Sequence, residues 1–302
     1  MSDYRRGLLM ALGTALLWGA MSPIAKIVSS EGLNQFSSLV YRALVVTVSV
    51  ATLLFFRRET GRLRISGRLC RIYGSLGVVG FLLAAGGFLA SCVYLTVPQA
   101  ITLHYAFPLV TMIGDVFVTK ERPGGRQVFG GFLLLFGLYV GFLWQGGALA
   151  GISIPGLVWG TLSVLGLAAQ NVITRRMVRD GESNPIVQLF YTHLFGGLIL
   201  LVGKSLLMGW GDLSGLSPRI FLWIQYPAFG AGLLGFGLLF SSLRYIPATT
   251  ASMICGLEIV IAIAVMPLLL GAVPTPHEVA GAMIVFVAVV VSAIPGQKER
   301  KR

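Results

Sequence analysis

Charge is scarce in this chain, and acid scarcer still. Only 11% of the 302 residues are Asp, Glu, Lys or Arg, and 11 are acidic. An ordinary soluble domain carries about 25% charged residues, so a soluble globular protein is excluded. Cysteine is limited to Cys70, Cys92 and Cys255, an odd number with two inside apolar runs. Neither a disulfide framework nor a zinc site is indicated. The Walker lysine loop, HExxH and GxSxG are all missing. Nothing marks nucleotide hydrolysis or catalysis, and no cofactor or metal is implied. No stretch between apolar runs is long enough to hold a separate soluble domain.

What fills the chain is apolar: 56% of residues by composition. Apolar length broken by charged or Gly/Pro punctuation predicts ten membrane spans, at about 7–28, 36–56, 72–95, 98–118, 125–144, 155–177, 184–208, 219–242, 247–270 and 275–294. Each has to be helical, because a chain in lipid must satisfy its own backbone polar groups. The runs are continuous, unlike the alternating strands of a membrane barrel. The expectation is therefore an all-α polytopic membrane protein, one transporter-sized domain over residues 1–302. The N-terminal run continues to about Val28 without a convincing cleavage site, so it reads as the first span and not as a signal peptide.

The net charge of +12 follows a pattern that membrane topology explains better than nucleic-acid binding, which is not expected. With the N-terminus in the cytoplasm, all but four of the 23 basic residues fall on inner segments: those of the Arg5–Arg6 pair, the six arginines between Arg57 and Arg71, Lys120 to Arg126, Arg175 to Arg179, Arg244 and the tail. That is the positive-inside bias, and it places both termini inside. The four exceptions, Lys26, Arg42, Lys204 and Arg219, lie near outer ends, where long side chains can snorkel.

The chain also repeats itself. At an offset of 151, Tyr94 aligns with Tyr245, Ala100 with Ala251, Pro123 with Pro274 and Gly130 with Gly281; at 150, Lys26 aligns with Arg176, Asn34 with Asn184 and Tyr41 with Tyr191. Each copy holds five spans, residues 7–144 and 155–294. Five is odd, so the second copy enters the membrane from the opposite side. Such inverted-topology repeats place substrate near the midplane, where the halves meet. The uncharged stretch 145–154, QGGALAGISI, reads as a short outer linker between them.

Polar groups at depth are the candidate site residues. Glu258 is the one charge in the stretch Pro247–Leu270. An ionised carboxylate there costs at least a few kcal/mol. It reads either as a substrate-amine or proton partner or as a neutral carboxyl bonded for packing. The counterpart span carries His104 and Tyr105 instead. His193 lies about 13 Å into the seventh span by helical rise. Each histidine is either a titrating group or a bond between helices. Trp18, mid-depth in the first span, is a stacking surface or packing. Trp144, Trp159, Trp210 and Trp223 sit near span ends, where belt anchoring is expected, with Trp159 also placed to line an outer vestibule. Gln170, Asn171 and Tyr41 are polar groups in costly places. Arg42 either holds a substrate carboxylate or snorkels. Asp115, near the inner end of the fourth span, reads as a solvated interfacial acid. The 39 glycines read as helix-packing positions.

In order, spacing and duplication, these residues resemble the EamA family of the drug/metabolite transporter superfamily. The match runs through ALLWGAMSPIAK in the first span, Tyr41–Arg42, VYLTVPQAITLHYAFPLVT followed by TKERPGGRQVFGGFLLLFGLYV, and LRYIPATTASMICGLEIVIA in the second half. The resemblance implies ten helices in a basket around a central cavity, and export or exchange of small metabolites across a bacterial inner membrane. Aromatic content and length look most similar to the aromatic amino-acid exporters of the YddG type. One departure stands out: the family usually has Glu-Pro in the second half, whereas this chain has Glu258–Ile259. Pro267 is then the candidate for a kink.

The expected function is a secondary transporter exporting amino acids, aromatic or otherwise large and neutral, by alternating access. Its partners are that substrate and membrane lipid, and it works as a monomer or weak dimer. Candidate substrate-binding residues are Trp18, Tyr41, Arg42, His104, Tyr105, Trp159, Asn171, His193 and Glu258. Other readings are a sugar-phosphate, nucleotide-sugar or drug-type exchanger of the same fold, and a polytopic membrane enzyme. Phosphate sites need several basic residues, and an interfacial enzyme needs clustered acids or a nucleophile; neither set is evident.

Overall fold

The computed structural model describes residues 3–144 and 153–294. Among these, ten helices are long and apolar enough to cross a membrane: α1 Asp3–Ser30, α2 Gln35–Phe56, α3 Gly67–Tyr94, α4 Gln99–Thr119, α5 Gly125–Leu143, α6 Ile154–Arg179, α7 Pro185–Leu207, α8 Pro218–Ser242, α9 Ala248–Leu270 and α10 Pro276–Ala293. No strand occurs among the described residues. The expected linker, apart from Ser153 and Ile154, and the basic tail lie outside them.

Helix starts follow local chemistry. Asn34 and Asn184, at equivalent places in the two halves, cap α2 and α7 by accepting from Phe36 N and Ile186 N at 2.8 and 2.9 Å. α3 begins at Gly67, earlier than the apolar run predicts, because Ser66 accepts from Leu69 N. Arg68 and Arg71 therefore ride on the first turns of a helix that extends past the lipid.

The packing repeats with the sequence. α1 leaves its own half to lie against α8 and α9, and α6 likewise lies against α3 and α4. Along the seam, equivalent helices meet in pairs: α2 with α7, α4 with α9 and α5 with α10. Glycine permits the α5–α10 contact. A Cβ on Gly281 would stand 2.5 Å from Gly137 O and from Gly141 Cα, a separation no side chain tolerates. The charged cost of the seam is met at its ends by hydrogen bonds, described below, while its middle is packed around Tyr105, Phe107, Phe240, Met253, Ile254 and Ile259.

Among the described residues regular helix is interrupted at seven places, and four of these form matching pairs. α4 is broken after His104 and resumes at Phe107. α9 is broken after Cys255 and resumes at Leu257. Tyr105 and Gly256, the two break residues, are 151 positions apart. α3 and α8 each contain a long π-helical stretch, Val78–Gly86 and Tyr226–Gly235, again at matching places. π-helix is rare and tends to mark functional sites. Both stretches are glycine-rich, and Pro227 removes a backbone donor at the start of the second.

The departure at Glu258–Ile259 does not restore a continuous helix. In the first half Pro108 stands in the first turn after the break, where its missing N–H costs nothing. In the second half Gly256 makes the break without proline. Pro267 sits inside an uninterrupted helix to Leu270.

Candidate functional site

Two grooves are shallow, apolar and peripheral. One is lined by Leu133, Met283, Ile284 and Val287, the other by Leu44, Val45, Val48, Ser49 and Phe229. Neither contains a candidate residue. Those gather instead at mid-depth, in two clusters, each on a seam between equivalent helices.

The first cluster lies where α2 meets α7. Arg42 and His193 are buried, with relative exposures of 5% and 1%. The Arg42 guanidinium stands 5.1 Å from the Phe81 ring and 5.4 Å from the Phe236 ring, within cation–π range. The same rings lie 4.9 and 5.6 Å from the His193 ring. Trp18 extends this wall at 4.8 Å from Phe236. The π-helical turns bring it together. Phe81 belongs to one, and Phe236 follows the other. Gly232 lets Arg42 lie flat, since a Cβ there would stand 2.6 Å from Arg42 Cγ. Turns of π-helix weaken the regular ladder, and α1 compensates: Thr14 Oγ1 donates to Gly235 O and Trp18 Nε1 to Ala231 O, at 3.1 and 3.2 Å. Snorkelling of Arg42 to the surface, one of its two sequence readings, is thereby ruled out; its side chain is enclosed by rings.

The second cluster lies at the paired breaks of α4 and α9. Glu258 is half-buried, sits in the first turn of the resumed helix and interacts with the Tyr105 hydroxyl. Cys255 is near it. His104 is in the last turn before the α4 break, with Phe88 at 4.8 Å and Phe107 at 5.9 Å. The start of a helix favours an acid, and the break in α9 places Glu258 in that turn. His104 Nδ1 is 2.8 Å from Ser163 Oγ, which itself donates to Ala84 O at 2.7 Å. The serine proton is committed, so the histidine must donate from Nδ1 and keep Nε2 as acceptor. α1 connects the clusters. Trp18 faces Phe236, while a Cβ on the adjacent Gly19 would meet the Glu258 carbonyl of α9 at 3.4 Å.

Three candidates stand apart. Tyr41 turns away from its neighbour Arg42, and its hydroxyl donates to Gln225 Oε1 at 3.0 Å. Asn171 is buried and donates to Ser252 Oγ at 3.1 Å, leaving its Oδ1 unpartnered. Trp159 is half-buried near the start of α6. Asp115 corrects the sequence reading: it is 1% exposed, not solvated. Its carboxylate accepts from Thr249 N and Thr249 Oγ1, both at 2.7 Å, capping the start of α9. Lys204 is likewise no free cation, being paired with Asp212 at 3.0 Å.

Sequence reading missed Phe81, Phe236 and Ser163. A signal for the two rings existed. At the 150 offset Phe81 faces Ala231 and Phe236 faces Gly86, so each half supplies one ring and one small residue to the same place. Among the described residues, no group of three or more His, Cys, Asp or Glu is placed to hold a metal.

The comparisons with known proteins bear on this architecture. An inner-membrane transporter of Escherichia coli K12, YhbE, itself uncharacterised, is 28% identical over 201 residues, 62% of this chain and 59% of that protein. An uncharacterised transporter of Haemophilus influenzae Rd is 27% identical over 190 residues, 61% and 60% of the two chains. The chain thus spans about three-fifths of the length of these curated relatives. A crystal structure superposes with a TM-score of 0.77 over 94% of this chain and 95% of its own, at 15% identity, which speaks for the fold alone. The model of the EamA-like transporter family matches residues 5–143 and matches again at 154–294. With one match for each five-helix half, and the two together spanning nearly all of the sequence, the chain belongs to the EamA-like transporter family.

Proposed function

We propose that this protein is an inner-membrane secondary transporter that exports amino acids with aromatic or other large neutral side chains, in the manner of the YddG-type exporters. The two halves, residues 7–144 and 155–294, move against each other around a mid-depth site, with both termini in the cytoplasm. One observation carries the reading: among the described residues Arg42 and Glu258 have no ion-pair partner, and each sits on a seam between equivalent helices, Glu258 at the paired breaks of α4 and α9 and Arg42 beside the π-helical turns of α3 and α8. Arg42 offers a cation, Glu258 an acid, and Trp18, Phe81 and Phe236 an aromatic wall, the pattern that suits a zwitterion with a large side chain. Broken helices are how membrane transporters form such sites. Tyr41, Asn171 and Trp159, which stand apart from both clusters, are proposed as further contacts along the substrate's path.

Glu258, beside Tyr105 and without an ion-pair partner among the described residues, is the group proposed to carry a proton through the cycle. A sugar-phosphate exchanger is disfavoured by the cations. Lys204 is tied to Asp212 and Lys26 is exposed, so Arg42 is alone at depth, where a phosphate calls for several.

Counterflow in proteoliposomes tests this, with a panel of labelled amino acids and with a sugar phosphate, with and without a pH gradient. Aromatic amino acids are expected to exchange. Glu258→Gln is expected to keep exchange and lose the response to the gradient. Failure of the whole amino-acid panel would remove the substrate assignment.

A further inference from the structure

Arg42 and His193 hold nearly the same address in the two halves. At the 150 offset Arg42 corresponds to Thr192, and Ala43 to His193. Their side chains share Phe81 and Phe236 across the α2–α7 seam. Each also has one buried polar atom with nothing to bond. Arg42 Nε has a proton to give and no acceptor. His193 Nδ1 is 3.0 Å from Leu189 O, and only an N–H can make that contact, so the other nitrogen, Nε2, is a lone pair with no donor. No carboxylate stands within ion-pair distance of Arg42 among the described residues. Two groups of such cost, left open against the same two rings, specify what is missing. It must accept from Arg42 and donate to His193.

We infer that Arg42 and His193 form the head-group subsite for a small carboxylate that carries a hydrogen-bond donor on the adjacent carbon. An α-amino acid has that chemistry: its carboxylate meets the guanidinium of Arg42 and its ammonium meets Nε2 of His193. An α-hydroxy acid satisfies the same two atoms. The side chain then runs along Phe81, Phe236 and Trp18. The inference rests on the transporter reading above and sharpens it. Recognition of the substrate's charged end falls to the α2–α7 seam, leaving Glu258 outside it.

A matched series on one side chain separates the parts: phenylalanine, phenyllactate, phenylalanine amide and phenethylamine. Binding is measured on the purified full chain in nanodiscs, by isothermal titration and by ligand-induced thermal shift. Phenylalanine and phenyllactate are expected to bind within about tenfold of each other. The amide and the amine, which lack the carboxylate, are expected to bind about 10- to 100-fold more weakly, the loss of a hydrogen-bonded charge. Arg42→Gln should erase the preference for acid over amide, and Arg42→Lys should restore part of it. His193→Gln, which keeps an acceptor, should bind phenylalanine better than His193→Leu.

The inference is overturned if the amide or the amine binds as tightly as phenylalanine, or if Arg42→Gln keeps the acid preference. If a variant does not fold, the ligand series on the native chain decides alone. Counterflow of phenylalanine reports separately on the transporter reading. Transport with no acid preference sinks the subsite only. Binding of no carboxylate, together with no counterflow, sinks both.

Discussion

Arg175 and Arg42 are buried to the same degree, 5% exposed each, and their surroundings could hardly differ more. Arg175 is saturated. Its Nε and Nη2 donate to the two oxygens of Glu121 at 3.1 and 2.6 Å, and Nη1 donates to Leu243 O at 2.7 Å. Arg179 adds Nη1 to Thr119 O at 2.9 Å. This network ties the α4–α5 loop to the ends of α6 and α8, so it joins the two halves on the side that holds the N-terminus. Asp115 with Thr249 and Gln127 with Thr250 join them there too. Arg42 has rings and no acceptor. A planar fork answered at every nitrogen is what a structural contact looks like, and a guanidinium left open is what a site looks like before its ligand. The opposite ends lack the network: Glu121 and Arg175 correspond to Ala272 and Ala25. One side of the protein is thus closed by a buried charge network, and the other is fastened by the contacts of Asp212 and the exposed Arg219–Glu31 pair.

The strongest way to break that comparison is to empty Arg175 as Arg42 is empty. Glu121→Ala leaves a buried guanidinium with one carbonyl partner. Losing one member of a buried pair costs about 3–5 kcal/mol. Glu121 is 21% exposed, so the lower end is expected, about 3 kcal/mol. Thermal unfolding in nanodiscs reads it as a clear drop in midpoint. The double change Glu121→Met with Arg175→Met should recover most of the loss. An unchanged midpoint in the single variant would mean that the network does not fasten the halves.

Arg42→Met is the converse. It deletes a buried cation that no acid among the described residues pairs with and keeps much of its volume beside Phe81 and Phe236. Stability is expected to stay within about 1 kcal/mol or to rise, while phenylalanine counterflow is lost. A loss as large as that of Glu121→Ala would make Arg42 a structural residue like Arg175.

How much of this was legible beforehand differs by level. The ten helices could be read because lipid imposes apolar length, and the two halves because Asn34 and Asn184, or Gly130 and Gly281, recur at one offset. Glu258, Arg42 and His193 stood out as charge-bearing groups in costly places. What could not be read was which helices meet. Arg42 lies near the outer end of its span by count, so snorkelling was a fair expectation until the π-helical turns of α3 and α8 folded two rings over it. Hydropathy does not register a π turn, and Phe81 and Phe236 look like any other apolar residue along the chain. Asp115 fooled the same logic from the other side. Beside Lys120 in sequence it looks solvated, but it bonds to Thr249, 134 positions away.

Asp115→Asn tests that correction with a smaller expected effect. Both Thr249 bonds end on Oδ2, so asparagine with its oxygen there keeps them, but the acceptor for Thr119 at Oδ1 becomes an NH2 and a charge-assisted cap becomes a neutral one. About 1–3 kcal/mol should be lost, read by thermal unfolding. Asp115→Ala should cost more. If both variants unfold with the wild type, the carboxylate is not what seats α9.

The smallest expected effect is on the opposite side, at Asp212. It accepts from Ser37 Oγ at 2.6 Å and Asn34 N at 3.1 Å, and pairs with Lys204 at 3.0 Å, so it too bridges the halves, but from a surface loop. Burial pushes its carboxyl up. The hydrogen bonds from Ser37, Lys204 and Asn34, with the Lys204 charge, outweigh that and hold it below the ordinary carboxylate value. A carboxylate lowered in the folded state contributes stability at neutral pH, and that contribution disappears as pH falls through the lowered value. Near the surface it is worth at most about 1 kcal/mol. Wild type and Asp212→Asn should therefore differ by a small, constant midpoint shift from about pH 5 to 8, and converge below about pH 4. Equal midpoints at pH 7 would show that this contact fastens nothing. A gap that persists well below pH 4 would mean that packing, not charge, holds the loop, and that neither side of the seam needs its ions as Arg175 needs Glu121.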